Sequence, residues 1–198
     1  MSKQESPKSA ELPIITFATP AAFARWLEKS HASSPGAWLR LAKKGANEKT
    51  VSYAEALEVA LCWGWIDGQK RPLDVVAWLQ KFTPRGAKSI WSKINCAKAE
   101  ALIASRAMQA PGLAAIALAK KDGRWDAAYE PQSRATVPDD LAVALDGNPR
   151  AQAFFATLKS VNRFAILFRV HQAKKPETRA RRIAEFVAML AEHRTIHG

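Results

Sequence analysis

Hydrophobic positions along the chain switch between period two and period 3.6, and the switches mark its elements. ITFA (residues 15–18) reads as a short strand, and Thr19-Pro20 then caps and opens a helix striped by Phe23, Trp26 and Leu27. Ser33-Ser34-Pro35-Gly36 breaks that helix, and AWLRLA (37–42) alternates as a second strand. SYAE at 52–55 is a capping-box pattern opening a helix with Leu57, Ala60 and Leu61 that stops at Gly64. Trp65-Ile66-Asp67 reads as a strand, Gly68 as a bulge or turn, and WLQKF (78–82) as a partner strand. From Ser89 onward helix dominates, with Ser92 and Asn95 as candidate caps. Pro111 opens a helix that closes at Asp122-Gly123.

A loop, DAAYEPQSRATVPDD, separates this from a last, wholly helical stretch. There Asp139-Asp140 begin a short helix, and Phe154, Leu158, Val161, Ala165 and Phe168 keep helical spacing, with Ser160 a candidate break. Pro176 opens a final helix whose apolar face is Ile183, Phe186, Val187 and Leu190. The expected class is α+β, helix-dominated: a small β-sheet with packed helices, followed by a C-terminal helical unit. The expected organisation is a flexible tail over 1–12, an α+β core domain over 13–130 and a helical module over 137–193.

Composition changes this picture in one respect. Of 198 residues, 30 are Lys or Arg and 18 are Asp or Glu, a net charge of +12 that favours anionic partners. The two cysteines, Cys62 and Cys96, sit in no CxxC or Cys/His cluster, so no metal site is expected. No secretory h-region and no run of about 18 apolar residues is legible, so a cytoplasmic protein without a transmembrane segment is the expectation. Oligomeric state is not legible.

Four blocks in one order carry a family resemblance: ALEVALCWGWIDGQKRPLD, KFTPRGAKSIWSKIN, MQAPGLAAIALAKKDGRWDAAY and AKKPETRARRIAEFVAML. Together they resemble the YdeI/OmpD-associated, or bacteriocin-protection, family over roughly residues 14 to 192. VPDDL at 137–141, the Phe154-Phe155 pair and AKKPETRARRI at 173–183 resemble its C-terminal module. The resemblance implies a part in envelope stress or bacteriocin tolerance, with no catalytic residues to carry over.

Candidate chemistry concentrates where large indoles lie beside unlike polar groups. If the strands at 65 and 78 pair, Trp63, Trp65, Asp67 and Gln69 approach Arg85, Ser89, Trp91 and Ser92, the makings of a ligand pocket with Arg85 as anion clamp. The same residues also suit an ordinary core strand, two turns and two helix caps, and both readings stay open. Lys174, Lys175 and Arg179 form a second, polyanion-binding candidate, as in a nucleic-acid-associated protein, though no DNA- or RNA-binding motif is legible and a solvated helix exterior explains such bases equally well. The four histidines are scattered and no HExxH, GxSxG or phosphate-binding glycine loop appears, which points away from an enzyme and requires no cofactor. The leading expectation is a non-enzymatic binder of an anionic small molecule or an acidic protein surface; a nucleic-acid-associated protein is the alternative, and an enzyme in the same pocket ranks third.

Overall fold

A computed structural model describes residues 11–197. The flexible tail expected over residues 1–12 therefore lies, apart from its last two positions, outside the described residues. In chain order the elements are β1 (Ile14–Ile15), α1 (Pro20–Ser30), β2 (Ala37–Ala42), α2 (Tyr53–Cys62), β3 (Trp65–Pro72), β4 (Ala77–Pro84), α3 (Lys93–Ala104), α4 (Ala110–Lys121), α5 (Asp139–Asp146), α6 (Pro149–Thr157), α7 (Ser160–Gln172) and α8 (Pro176–Ala191). The fold is α+β and helix-dominated, as the hydrophobic periods predict.

The four strands form one mixed sheet in the order β1-β2-β4-β3, with β1 parallel to β2 and the other pairs antiparallel. Two details differ from expectation. The first strand sits at Ile14–Ile15, one residue earlier than ITFA and sharing only Ile15 with it, because Ile14 and Ile15 pair with Trp38 and Leu39. And β3 does not end at Asp67: it passes through a bulge between Asp67 and Lys70 and continues to Pro72. The buried Gln80 makes that possible, since its side-chain amide donates to Gly68 O at 2.9 Å and to Gln69 O at 3.3 Å. Carbonyls that the bulge turns out of the ladder thus keep a partner.

Helix starts follow the capping logic of the sequence. Thr19 Oγ1 accepts from Ala22 N, and Ser52 and Glu55 form a reciprocal capping box. Asn95 is no cap: α3 starts at Lys93, and Asn95 lies buried inside it. Ser160 does divide the chain, between α6 and α7.

The chain divides into two compact units. The first comprises the chain to Trp91 plus Asn95–Ala127; the second comprises Ser92–Ile94 and the chain from Ala128 onward. In the first unit α1 and α2 supply the core against the sheet, where Phe23, Leu27, Leu39, Leu61, Trp65 and Phe82 are almost fully buried. Trp65 meets Trp26 edge-on at 5.6 Å and donates its indole N–H to His31 O at 3.2 Å. α4 packs tightly on the end of α2 because two residues there lack a side chain. A Cβ on Gly64, whose φ is +71°, would lie 2.7 Å from Pro111 O, and one on Gly112 would lie 2.4 Å from Cys62 O.

The second unit builds its own core from Leu141, Leu145, Phe155, Ile166, Leu167, Val170, Ile183, Phe186 and Leu190. Burial of each large side chain contributes roughly 1.5–3 kcal/mol. The chain past α8 is anchored too: His193 stacks on Phe154 at 4.8 Å, and His197 and Asn162 exchange two hydrogen bonds of 2.9 Å.

Candidate anion-binding site

β3 and β4 do pair, with Trp65 opposite Pro84 and Asp67 opposite Phe82, yet the expected pocket residues separate. Asp67 shares the helix-covered sheet face with Trp65 and Phe82, and its carboxylate accepts from the Tyr53 hydroxyl at 2.8 Å. Arg85 N donates to Gly64 O at 2.9 Å, one step beyond the last strand pair. Side chains alternate along a strand, so the Arg85 side chain leaves by the opposite face from Asp67. Its guanidinium lies 3.5 Å over the Trp91 ring and donates to Ile90 O at 3.1 Å. Ser89 belongs to the same loop: its Oγ accepts from Gly86 N, and its carbonyl accepts from Arg124 at 2.7 Å.

Arg85, Ser89 and Trp91 therefore come together as a braced loop, with Trp91 buried and 4.8 Å from Trp125. Trp63 caps α2 with its ring 5.0 Å from that of His31. Trp65 is core, Gln69 is exposed on the bulge, and Ser92 is bridged to Tyr129. No carboxylate–guanidinium pocket forms between Asp67 and Arg85.

A different cluster does converge, at the other end of the same hairpin. The register that places Ala42 opposite Ala77 and Trp78 opposite both Leu41 and Pro72 brings three chain segments together. Lys43 extends the ladder past β2, donating from its backbone to Val76 O at 2.8 Å. The result is a recess of about 590 Å³, lined by Lys43, Lys44, Lys70, Arg71, Pro72 and Trp78. Lys70 Nζ sits 4.2 Å over the Trp78 ring, and Arg71, on the opposite face of the edge strand, lies 4.1 Å over Trp38. Lys43 Nζ donates to Asp74 O at 2.7 Å. Among the described residues none of these four cations is salt-bridged to a carboxylate.

The acid nearest the recess is consumed by its own turn. Asp74 Oδ1 accepts from Val76 N at 2.8 Å and Ala77 N at 2.7 Å, and Oδ2 lies 3.8 Å from Arg40. The Val76 N–H, with Ala77 N and the nearby Arg40 and Lys43, holds its carboxyl below the usual range. Arg40 in turn pairs with Glu48. The recess thus keeps an excess of positive charge over an indole, which suits an anion with some apolar surface.

The second unit has hollows of another kind. One of about 620 Å³ runs along α5 and α8, and its guanidinium, Arg179, is already taken. Arg179 pairs with both oxygens of Asp140 and donates to Val170 O at 2.8 Å. Arg182 donates to Arg169 O at 2.6 Å. These arginines satisfy carbonyls of the last turn of α7, which a helix leaves without partners. Of the polyanion candidates, Lys174 and Lys175 are exposed while Arg179 serves as a helix clamp. A smaller hollow of about 240 Å³ beside Tyr129, Phe164 and Phe168 has its Lys93 paired with Glu130. Size favours the α5–α8 hollow, but uncommitted charge favours the sheet recess.

The thiols offer no chemistry at either place. Burial pushes the Cys62 thiol up and the Cys96 thiol to about 11, so both stay protonated near neutral pH. Among the described residues no three His, Cys, Asp or Glu gather as a metal site would require.

Residues 15–115 match the family described as a domain of unknown function (DUF8412), and residues 134–193 match the family described as "Bacteriocin-protection, YdeI or OmpD-Associated". The chain belongs to the first of these families, whose match spans half of its length; to the second it is similar over residues 134–193. The resemblance expected across residues 14 to 192 thus resolves into two regions, with the YdeI/OmpD-associated match on the helical stretch alone. The recess lies wholly within the DUF8412 region, and the Arg179–Asp140 clamp within the YdeI/OmpD-associated one. No curated protein and no solved structure matches the chain.

None of Lys43, Lys44, Lys70, Arg71 and Trp78 stands out in the sequence as a site residue. The available signal was the strand register: pairing AWLRLA against AWLQKF end to end sets Lys43-Lys44 beside Trp78.

Proposed function

We propose that this protein is a non-enzymatic binder of an anionic small molecule, taken up in the recess of Lys43, Lys44, Lys70, Arg71 and Trp78 and acting in bacteriocin tolerance. One observation carries the reading: Lys43, Lys44 and Lys70 border an indole-floored recess, with Arg71 adding charge from the other face of the same strand, and none of the four is salt-bridged to a carboxylate among the described residues, whereas the arginines of α8 are spent on Asp140 and on helix carbonyls. An anion entering the recess gains Coulombic attraction without displacing an internal partner, apart from Lys43 from Asp74 O. The same contrast weakens the nucleic-acid reading at Lys174, Lys175 and Arg179, because one of its three residues is committed elsewhere. The bacteriocin-tolerance role rests on the description of the family matched by residues 134–193.

The test is calorimetric titration with inorganic pyrophosphate, citrate and a nucleoside triphosphate at low salt, with tryptophan fluorescence read in parallel. The expected result is saturable binding to at least one of them that weakens with salt and falls at least tenfold in Lys44→Gln/Lys70→Gln. Absence of heat and quenching with every probe, or unchanged binding in the double variant, would falsify the assignment.

A further inference from the structure

The tip of the same hairpin breaks the usual chemistry of tight turns. Asp74 N donates to Ala77 O at 3.3 Å, closing a loop whose two central residues are Val75 and Val76. Loops of this length favour Gly, Asn or Asp, because the preferred turns need a positive φ. Here both central residues are β-branched and apolar, and neither has a positive φ. The loop is closed instead by the Asp74 side chain, which takes both the Val76 and Ala77 N–H groups. Asp74 is the only polar side chain between Pro72 and Trp78, and these bonds turn its oxygens back onto the backbone.

What remains outward is apolar. Val75 is 89% exposed, Leu73 42% and Val76 41%, side by side at one end of the sheet. Single exposed aliphatics need no explanation, but three grouped on a projecting tip do. Directly behind them stand the cations of the recess, with Trp78 at the same level. The order from the tip inward is apolar, then indole and ammonium, then the closed sheet. That order repeats the section of a phospholipid leaflet from its acyl boundary through its phosphate layer to water.

We propose that the β3–β4 tip is a membrane-docking device for anionic phospholipid, with Leu73, Val75 and Val76 entering the acyl boundary while Lys43, Lys44, Lys70 and Arg71 take headgroup phosphates. The inference rests on the anion-binding reading of the recess and names the source of the anion: a lipid headgroup, as opposed to a free solute. Among the described residues no helix is long and apolar enough to cross a membrane, so the association is peripheral. The net charge of +12 adds long-range attraction to an anionic leaflet and makes docking sensitive to salt.

Co-sedimentation of the full chain with phosphatidylcholine vesicles, and with vesicles also containing phosphatidylglycerol, tests this alongside pyrophosphate titration. The expected result is partitioning onto the anionic vesicles alone, reduced at least tenfold by Val75→Asp and by Lys44→Gln/Lys70→Gln. Val75→Asp should leave pyrophosphate binding unchanged, and thermal melts should match the parent chain because the residue is exposed. Pyrophosphate binding without vesicle binding overturns the membrane inference and leaves the soluble-anion reading standing. Vesicle binding without binding of any soluble anion does the reverse. Vesicle binding that survives Val75→Asp overturns the insertion of the tip.

Discussion

Basic residues at the sheet end and on α8 look alike in sequence and are used in opposite ways. On α8, Arg179 and Arg182 turn inward to Asp140 and to the carbonyls of Val170 and Arg169, closing the end of α7. At the sheet end, Lys70 and Arg71 lie on Trp78 and Trp38, with no carboxylate bound. The first set holds the fold together; the second is left over after folding. A net charge therefore says little about binding until each cation has been traced to its partner.

That contrast can be broken or sharpened at five points. The largest effect is expected within the tryptophans, where the same division holds. Trp65→Ala removes a core indole and its hydrogen bond to His31 O, and should cost roughly 3–5 kcal/mol in denaturant unfolding. Trp78→Ala, by contrast, should leave unfolding little changed and diminish the fluorescence response to anions. Next comes Arg179→Met, which leaves Asp140 with only the Leu141 N–H and Val170 O with only the Ala173 N–H. Hydrogen bonds to charged groups contribute about 1.5–3 kcal/mol, and the 44% exposure of Asp140 moves the expected loss toward about 1 kcal/mol. Pyrophosphate affinity should not change.

The third is a pH effect. The hydrogen bond from Arg179, reinforced by its charge, holds the Asp140 carboxyl below its usual range in the folded chain. A depressed folded value means the contribution is complete above the unfolded value, near about 3.9. It is lost as pH falls through the lower folded value. Acid titration should therefore destabilise the helical unit below about pH 4, less steeply in Asp140→Asn, while a parallel profile in both proteins would deny the clamp. Fourth, Lys44→Gln/Lys70→Gln should change unfolding by no more than about 0.5 kcal/mol, although it weakens anion binding tenfold. Last, Arg181→Ala removes only the exposed pair with Glu185 at 3.7 Å, worth about 0.3–0.5 kcal/mol at most.

Much of the fold was legible because its signals are local. The capping box at Ser52–Glu55, the break at Ser160, Pro176 at the head of α8 and the apolar stripe of Ile183, Phe186 and Leu190 each depend on residues within a few turns. The extension of β3 was not, because it depends on Gln80, twelve residues from Gly68, reaching back to feed the bulge. The site was less legible still. The indoles and polar groups around Asp67 and Arg85 drew attention by composition, but pleating sends the two charges to opposite faces. The recess arises from three segments aligned by register, and register follows from turn geometry that Val75-Val76 conceals. Arg179 misled for a related reason: its partner lies 39 residues away.

The buried amide of Gln80 has a consequence for self-association. β3 is the outer strand of the sheet, eight residues long, and a straight strand of that length is a template on which a second copy can zip. By holding the kink at Gly68-Gln69, Gln80 interrupts that template midway, and Pro72 removes a donor at its end. Leucine in place of Gln80 would straighten the rim, and crowded preparations of that variant should then turn fibrous while the parent chain stays dispersed.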